Sequence, residues 1–438
     1  MKVGKIVLIT LVSLLIAAMA GVIIWLSLWV NNERSRVEFA RRQIESEYRN
    51  ALYDSFDSVS EMENDLAKLL VSNSETESVS IAADIYKNAG AAAEVAGRLP
   101  VDIYEHSGLI KFLNQVGDFA GSYIRVIGAG ADKAAYDEQV ESIYAATENV
   151  RMALGDAIVK LGDGDYTVLS QIDAGNLLTI GTGEMSIEYP SIIYDGPFSD
   201  STEKTDWKAI AGLGEIGEED AAKIVKEKLD MDGKVYAVTG GDAELYQLEG
   251  SINGREAYAS LTKRGGLIVS ANVNADESGA KLGEKEASEK ALVYAEKLGY
   301  SKSLTPVWYN EAGGIAVVNL APETDGVVIY PDLIKVKVSL GDGSLLGVEA
   351  CAYCTNHAAR VLPKARMTED SARTCVSPRL NVTSVRLVVV PKNTSERFCY
   401  EVAANYKGLD YFVYVDAVTG KQVDILRVID DEQGKLVV

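Results

Sequence analysis

From Ile6 to Val30 the chain reads IVLITLVSLLIAAMAGVIIWLSLWV, 25 residues without a charge. As a helix this run is about 37 Å long, enough to cross a hydrocarbon core of roughly 30 Å with some tilt. Ala18-Met19-Ala20 offers a small-residue cleavage site. The apolar run continues ten residues past it, which a signal h-region does not do. Trp25 and Trp29 suit an interfacial belt. The pattern predicts one uncleaved transmembrane helix, with residues 1–30 as the anchor. Lys2 and Lys5 precede it and Arg34, Arg36, Arg41 and Arg42 follow, a count that leans toward a cytoplasmic C-terminal part.

Residues 32–72 carry neither proline nor glycine. Val37, Ala40, Ile44, Tyr48, Leu52, Phe56, Val59, Met62, Leu66 and Leu69 step by three or four, one stripe on a long helix. Ser72-Asn73-Ser74 breaks it. A second helix is predicted from Val79 to Arg98, stopped by Pro100. A third is marked by Leu109, Leu113, Val116, Ala120 and Ile127, and a fourth by Tyr136, Val140, Ile143, Thr147, Val150 and Leu154. Each stripe needs a neighbour to bury it, so residues 31–160 read as an antiparallel helical bundle.

Residues 161–213 lose all periodicity and read as a linker, open to proteolysis because it is polar loop sequence. Within it EYPSIIYDGPFSD, at 188–200, is too apolar for a free linker and is expected to pack on a neighbouring domain. Beyond Gly214 the chain repeats itself. IGEEDA at 216–221, LGEKEA at 282–287 and MTEDSA at 367–372 each open a helix. Gly217, Gly283 and Thr368 fall at the N-cap. Glu218, Glu284 and Glu369 fall in the first turn, where carboxylates meet the positive end of the helix dipole. Ala222, Val225 and Leu229 mark the buried stripe of the first helix; Ala291, Ala295 and Leu298 mark the second. Pro378 cuts the third short. Alternating runs follow, turning at Lys263–Gly266, at Gly341-Asp342-Gly343 and at Ala417–Gly420. The fold class is α+β: an N-terminal transmembrane helix, a helical bundle, then three small domains at 214–277, 278–365 and 366–438, each a helix over an antiparallel sheet. Exposed edges of those sheets are candidate docking surfaces.

The chain has 43 basic and 64 acidic residues, a net charge of −21. Such a surface repels nucleic acid and anionic headgroups. A 47% hydrophobic fraction argues against wholesale disorder.

Candidate chemistry is sparse. No G-x-S-x-G elbow, H-E-x-x-H, P-loop or dinucleotide fingerprint occurs. Catalytic, cofactor-binding and metal residues are therefore all expected to be none, and the chain is not expected to be an enzyme. Only two histidines exist: His106 at a helix start and His357 in a loop, where turn packing explains it. Cys351-x-x-Cys354, with Cys375 and Cys399, is the sharpest local signal. Structural zinc needs two close ligand pairs, and only one is present. Outside the cytoplasm the four favour one or two disulfides, with three connectivities open; free thiols are the alternative.

EYPSIIYDGPFSD, LPVDIYEHSGLIKFLNQVGDFA at 99–120 and RFCYEVAANYKGLDYFVYVDAVTG at 397–420 resemble the YpeB family of spore germination proteins from endospore-forming bacteria. The helix-then-hairpin copies resemble PepSY domains. The resemblance implies a single-pass protein of the spore inner membrane whose long C-terminal part is extracytoplasmic, against the charge count above. It also implies a partner, a SleB-like cortex-lytic peptidoglycan hydrolase that the chain localises, stabilises and restrains until germination, with contact to peptidoglycan and none to nucleic acid. An extracytoplasmic sensor or ligand-binding protein is the rival. Only five residues precede the apolar run, so its signal would pass through another membrane protein.

Overall fold

The unbroken helical pattern past the apolar run gives one long helix, α1 (Lys2–Val71), ended at Ser72-Asn73-Ser74. Three shorter helices follow: α2 (Glu75–Ala96), α3 (His106–Gly128) and α4 (Asp137–Gly162). The computed structural model describes residues 2–99, 106–162, 207–241, 243–274, 279, 281–392, 395–431 and 434–437. EYPSIIYDGPFSD and most of the 161–213 stretch lie outside these, as do the side chains of residues 2–18. Among the described residues no helix is long and apolar enough to cross a membrane.

The chain divides into two compact units. The first holds Met1–Glu63, Ala83–Tyr123 and Glu141–Ile187. Its stripes are buried at Leu52, Phe56, Val59 and Met62 of α1, Ile85 and Ala89 of α2, Leu113 and Val116 of α3, and Val150 and Leu154 of α4. The upstream part of the α1 stripe is not: Val37 and Ile44 are exposed. The reason is length. Helices α2 to α4 have 22, 23 and 26 residues, so each flanks only about 35–40 Å of a helix about 105 Å long. Arg151 of α4 pairs with the buried carboxylate of Glu63 of α1.

The second unit contains Glu188–Val438 together with Asn64–Ala82 and Ile124–Val140. Its first module has α5 (Glu218–Leu229) and strands β1 (Asp232–Thr239), β2 (Leu245–Ile252), β3 (Arg255–Thr262) and β4 (Ile268–Val273). The second has α6 (Glu284–Leu298), β5 (Leu304–Ala312), β6 (Ile315–Thr324), β7 (Val327–Ile329), β8 (Ile334–Ser339) and β9 (Leu345–Glu349), then a short helix α7 (Cys351–Asn356). The third has the five-residue α8 (Glu369–Arg373) and strands β10 (Asn381–Lys392), β11 (Ser395–Tyr406), β12 (Leu409–Asp416), β13 (Gln422–Asp431) and β14 (Gly434–Val437). The N-caps are Gly217, Gly283 and Thr368, as their sequence positions predict. Ala221, not Ala222, joins Val225 and Leu229 in the buried stripe, because a strict four-residue step keeps one face. The hairpin turns carry positive φ at Gly265, Gly266, Gly343 and Gly420. At Gly265 a Cβ would meet Leu213 Cδ1 at 2.3 Å, so the end of the linker packs on the first hairpin.

The sheets are not separate. β4 pairs antiparallel with β9, β14 meets β5 at Gly434 and Asn310, and β7 runs parallel to β10. All fourteen strands of the described residues form one sheet. Because β6 also pairs with β7, the run β6–β5–β14–β13–β12–β11–β10–β7 closes on itself. The expectation of exposed module edges is therefore corrected: the edges pair with one another, over three positions each at β4–β9 and β7–β10 and over one at β14–β5. Among the described strands only β1 has a single neighbour. Its Tyr236 sits in a register irregularity, and Lys234 and Asp232 make ion pairs, devices that blunt edge pairing.

Inside the closed run Trp308, Val388, Val390, Cys399, Leu426 and Val428 share a core. The Glu401 carboxylate is buried with them. It accepts from Tyr330 and Tyr414 hydroxyls and from Arg386 Nε at 2.7 Å. Trp308 stacks on Tyr330 at 4.8 Å. Burial pushes both phenols well above their usual range, so they remain donors. Losing the guanidinium would leave a buried carboxylate without its cation, a change that typically costs about 3–5 kcal/mol.

The third module also holds residues 64–82 and 124–140. Tyr411 donates to the Ala67 carbonyl at 3.2 Å and Arg427 to Asn64 Oδ1 at 2.8 Å. Asn73 donates to Gln422 Oε1 and to the Cys375 carbonyl, and Arg379 pairs with Asp137 at 2.7 Å. These contacts bridge across the 161–213 stretch without using it. A full chain cut once within residues 163–206 should therefore elute as one species on gel filtration. Separate elution of the two pieces would contradict this docking.

Candidate binding face

In an antiparallel strand alternate side chains face opposite ways. Ala257, Ala259 and Leu261 of β3, Ile268 and Ala271 of β4, and Ile334, Val336 and Val338 of β8 enter the core with Ala221 and Val225 of α5 and Ala287 and Ala291 of α6. Their sequence neighbours must then lie on the other face. Register shows what gathers there. Asn319, Lys335, Glu349, Ser270, Ser260 and Gln247 are cross-strand neighbours on β6, β8, β9, β4, β3 and β2. A second row runs through Lys337, Gly347, Asn272, Tyr258, Glu249 and Lys234. Both rows cross the β4–β9 seam, so the face belongs to neither module alone.

A groove of about 430 Å³ lies on this face. Its rim includes Tyr258, Lys335, Lys337 and Glu349; Val269, Ala271, Val317 and Val348 also line it. Gly347 deepens it. A Cβ there would sit 2.9 Å from the Ala271 carbonyl oxygen and 3.5 Å from Asn272 Oδ1. Ser260 Oγ donates to Gln247 Oε1 at 2.7 Å, which leaves the Gln247 amide nitrogen turned to other uses. Tyr258 is 44% exposed and donates to Glu256 at 2.7 Å; that bond and the nearby carboxylates raise its phenol pKa. Aromatic, amide, hydroxyl and charged groups beside apolar ones are the mixture that recognition surfaces present. The strand alternation signalled this face in the sequence; which strands would lie side by side was not readable from it.

Of the residues singled out for chemistry, Cys351 lines the groove and the others fall elsewhere. Cys351 and Cys354 lie one turn apart on α7, Cys375 follows α8, and Cys399 is on β11. All four are free thiols, so the disulfide expectation is corrected. The cause is burial in different places: Cys354 Sγ points at the Ile268 carbonyl at 3.9 Å, and Cys399 belongs to the core of the closed run. Burial pushes the Cys354 and Cys399 thiols up to about 12, and raises Cys351 too. Among the described residues no cluster of His, Cys, Asp and Glu is placed to hold a metal. Glu218, Glu284 and Glu369 each open their own helix, and His106 is the first residue of α3.

His357 does more than pack a turn. Its Nδ1–H donates to Asp332 at 2.7 Å, and its ring stacks on Tyr353 at 4.3 Å. Arg360 grips the same buried Asp332 with two nitrogens and reaches Glu396 of β11 at 2.8 Å. The segment after α7 is thereby strapped to both the second and the third module.

A family model described as the YpeB N-terminal region matches residues 38–169. Another, for YpeB sporulation, PepSY1 and PepSY2 domains, matches 180–363, and a peptidase propeptide and YPEB domain matches 366–426. The chain belongs to the YpeB family. Sporulation protein YpeB of Halalkalibacterium halodurans is 24% identical, covering 96% of this chain and 98% of its own length. The Bacillus subtilis protein of that name is 23% identical over 93% and 96%, and that of Oceanobacillus iheyensis 22% over 93% and 95%. The Bacillus megaterium YpeB C-terminal domain is similar over 49% of this chain and 98% of its own, at 25% identity and a TM-score of 0.45. Membership supports a role in sporulation and germination. It puts the groove in the part matched by the PepSY1 and PepSY2 family description, and the closed run partly in the last domain.

Unfolding this YpeB-family protein without reductant should expose four titratable thiols. In the native state Cys354 and Cys399 should react far more slowly than Cys375, because little of either is thiolate near neutral pH. A count of two or fewer thiols after unfolding would contradict the free-thiol assignment.

Proposed function

We propose that this YpeB-family chain is a non-enzymatic binding protein, tethered to the spore inner membrane by Ile6–Val30, that holds and stabilises a SleB-like cortex-lytic hydrolase until germination. The observation that carries the reading is the open polar face, built across two joined modules and composed for contact rather than reaction. Three PepSY-like domains outside the membrane would form the holding surface. The tether reading rests on a charge-free run within α1, whose Trp25 and Trp29 are 64% and 53% exposed. An acidic chain of net charge −21 favours a partner with basic surface and keeps away from anionic headgroups.

Restraint follows from geometry of this kind: a hydrolase held at the membrane is kept from the bulk of the cortex. Dormant spores lacking this chain should contain little of the hydrolase, measured by immunoblot. Normal hydrolase levels in such spores would contradict the proposal, and so would recovery of the intact chain in the soluble fraction of broken spores.

A further inference from the structure

Among the described residues, the groove across the β4–β9 seam has one cation left uncommitted. Lys337 is half-buried on the groove wall and makes no hydrogen bond or ion pair with any described residue. The Asn272 amide and the Ser270 hydroxyl beside it likewise have no partner among the described residues. Glu349, the nearest acid in the register, stands opposite Lys335 rather than Lys337. In a chain of net charge −21 a half-buried lysine with no carboxylate partner among the described residues is a local exception. It calls for an anion from outside.

We propose that the groove is the docking surface for the partner protein, and that the partner presents a carboxylate side chain to Lys337. The inference rests on the binding function proposed above and assigns it a place. Size supports a protein occupant. The first polar row crosses six strands and the sheet adds β1 beyond them, so at about 4.8 Å per strand the face is about 29 Å wide. A standard interface of about 800 Å² per partner is about 30 Å across. Composition agrees: Tyr258 supplies rigid amphipathic area, while Gln247, Ser260, Ser270 and Asn272 supply adaptable hydrogen bonds, the mixture that protein-binding paratopes use. Among the described strands the single open edge, β1, is guarded by its irregularity and ion pairs, so the face and not the edge is available. A Cβ at Gly347 would meet the Lys337 stem at 3.4 Å, so the glycine leaves that side chain its place.

The test measures binding of the purified SleB-like hydrolase to the full chain by biolayer interferometry. Lys337→Glu and Tyr258→Ala should each weaken binding about tenfold or more. Lys285→Glu, on the exposed side of α6, should stay within about twofold. Thermal melts check that the variants fold; Tyr258→Ala, at an exposed position, keeps the test alive if Lys337→Glu does not. Wild-type binding unchanged by both face variants overturns this inference and leaves the binding function standing. No binding by the wild-type chain overturns both. Displacement of the hydrolase by soluble cortex glycan, lost in Lys337→Glu, would assign the groove to a glycan and overturn the protein occupant.

Discussion

A β-strand at the edge of a sheet leaves a row of backbone N–H and C=O groups that must find partners or stay in water. In this protein they find each other. Modules one and two share the β4–β9 pairing; modules two and three share β14–β5 and β7–β10. Each unpaired buried amide would cost about 1–3 kcal/mol, so the joints are held by the same bonds that build each hairpin. Surface ion pairs such as Lys285–Glu289 contribute about 0–1 kcal/mol each and cannot compete with that.

Fusion of the sheets has consequences on both faces. On one, α5 and α6 close a single core, with Ala221, Val225, Ala287 and Ala291 sharing contacts beneath them. The helix ends are tied as well, Lys228 donating to the Leu298 carbonyl at 2.6 Å and Lys297 pairing with Asp230. On the other face, polar rows that would be short on an isolated module become long enough to meet another protein. The closed run around Glu401 then fixes the second module to the third through a buried carboxylate with three donors. Arg360 adds a second fastening outside it, through Asp332 and Glu396.

Much of this architecture is legible in the chain, because local rules govern it. The N-caps at Gly217, Gly283 and Thr368, the glycine turns and the bundle stripes follow from backbone geometry and period. What escapes sequence reading is long-range. Strand edges carry no side-chain signature, so nothing in Ser270 or Glu349 announces that β4 and β9 are neighbours. Tyr330, Arg386, Glu401 and Tyr414 meet inside one core from positions far apart in the chain, and none is unusual in its local context. The disulfide expectation, drawn from the compartment, failed for a related reason. Cys351 and Cys354 share a short helix whose inner side enters a core, a placement decided by packing and not by the C-x-x-C pattern.

The shared face therefore depends on the seams. Hydrogen–deuterium exchange of the intact chain, read by mass spectrometry, reports them directly. Amides of β4, β9 and β10 should be protected as strongly as those of β3 and β12, which are interior within their own modules. Rapid exchange along β9 and β10, with β3 and β12 still protected, would mean three separate sheets with free edges, and the shared face would not exist.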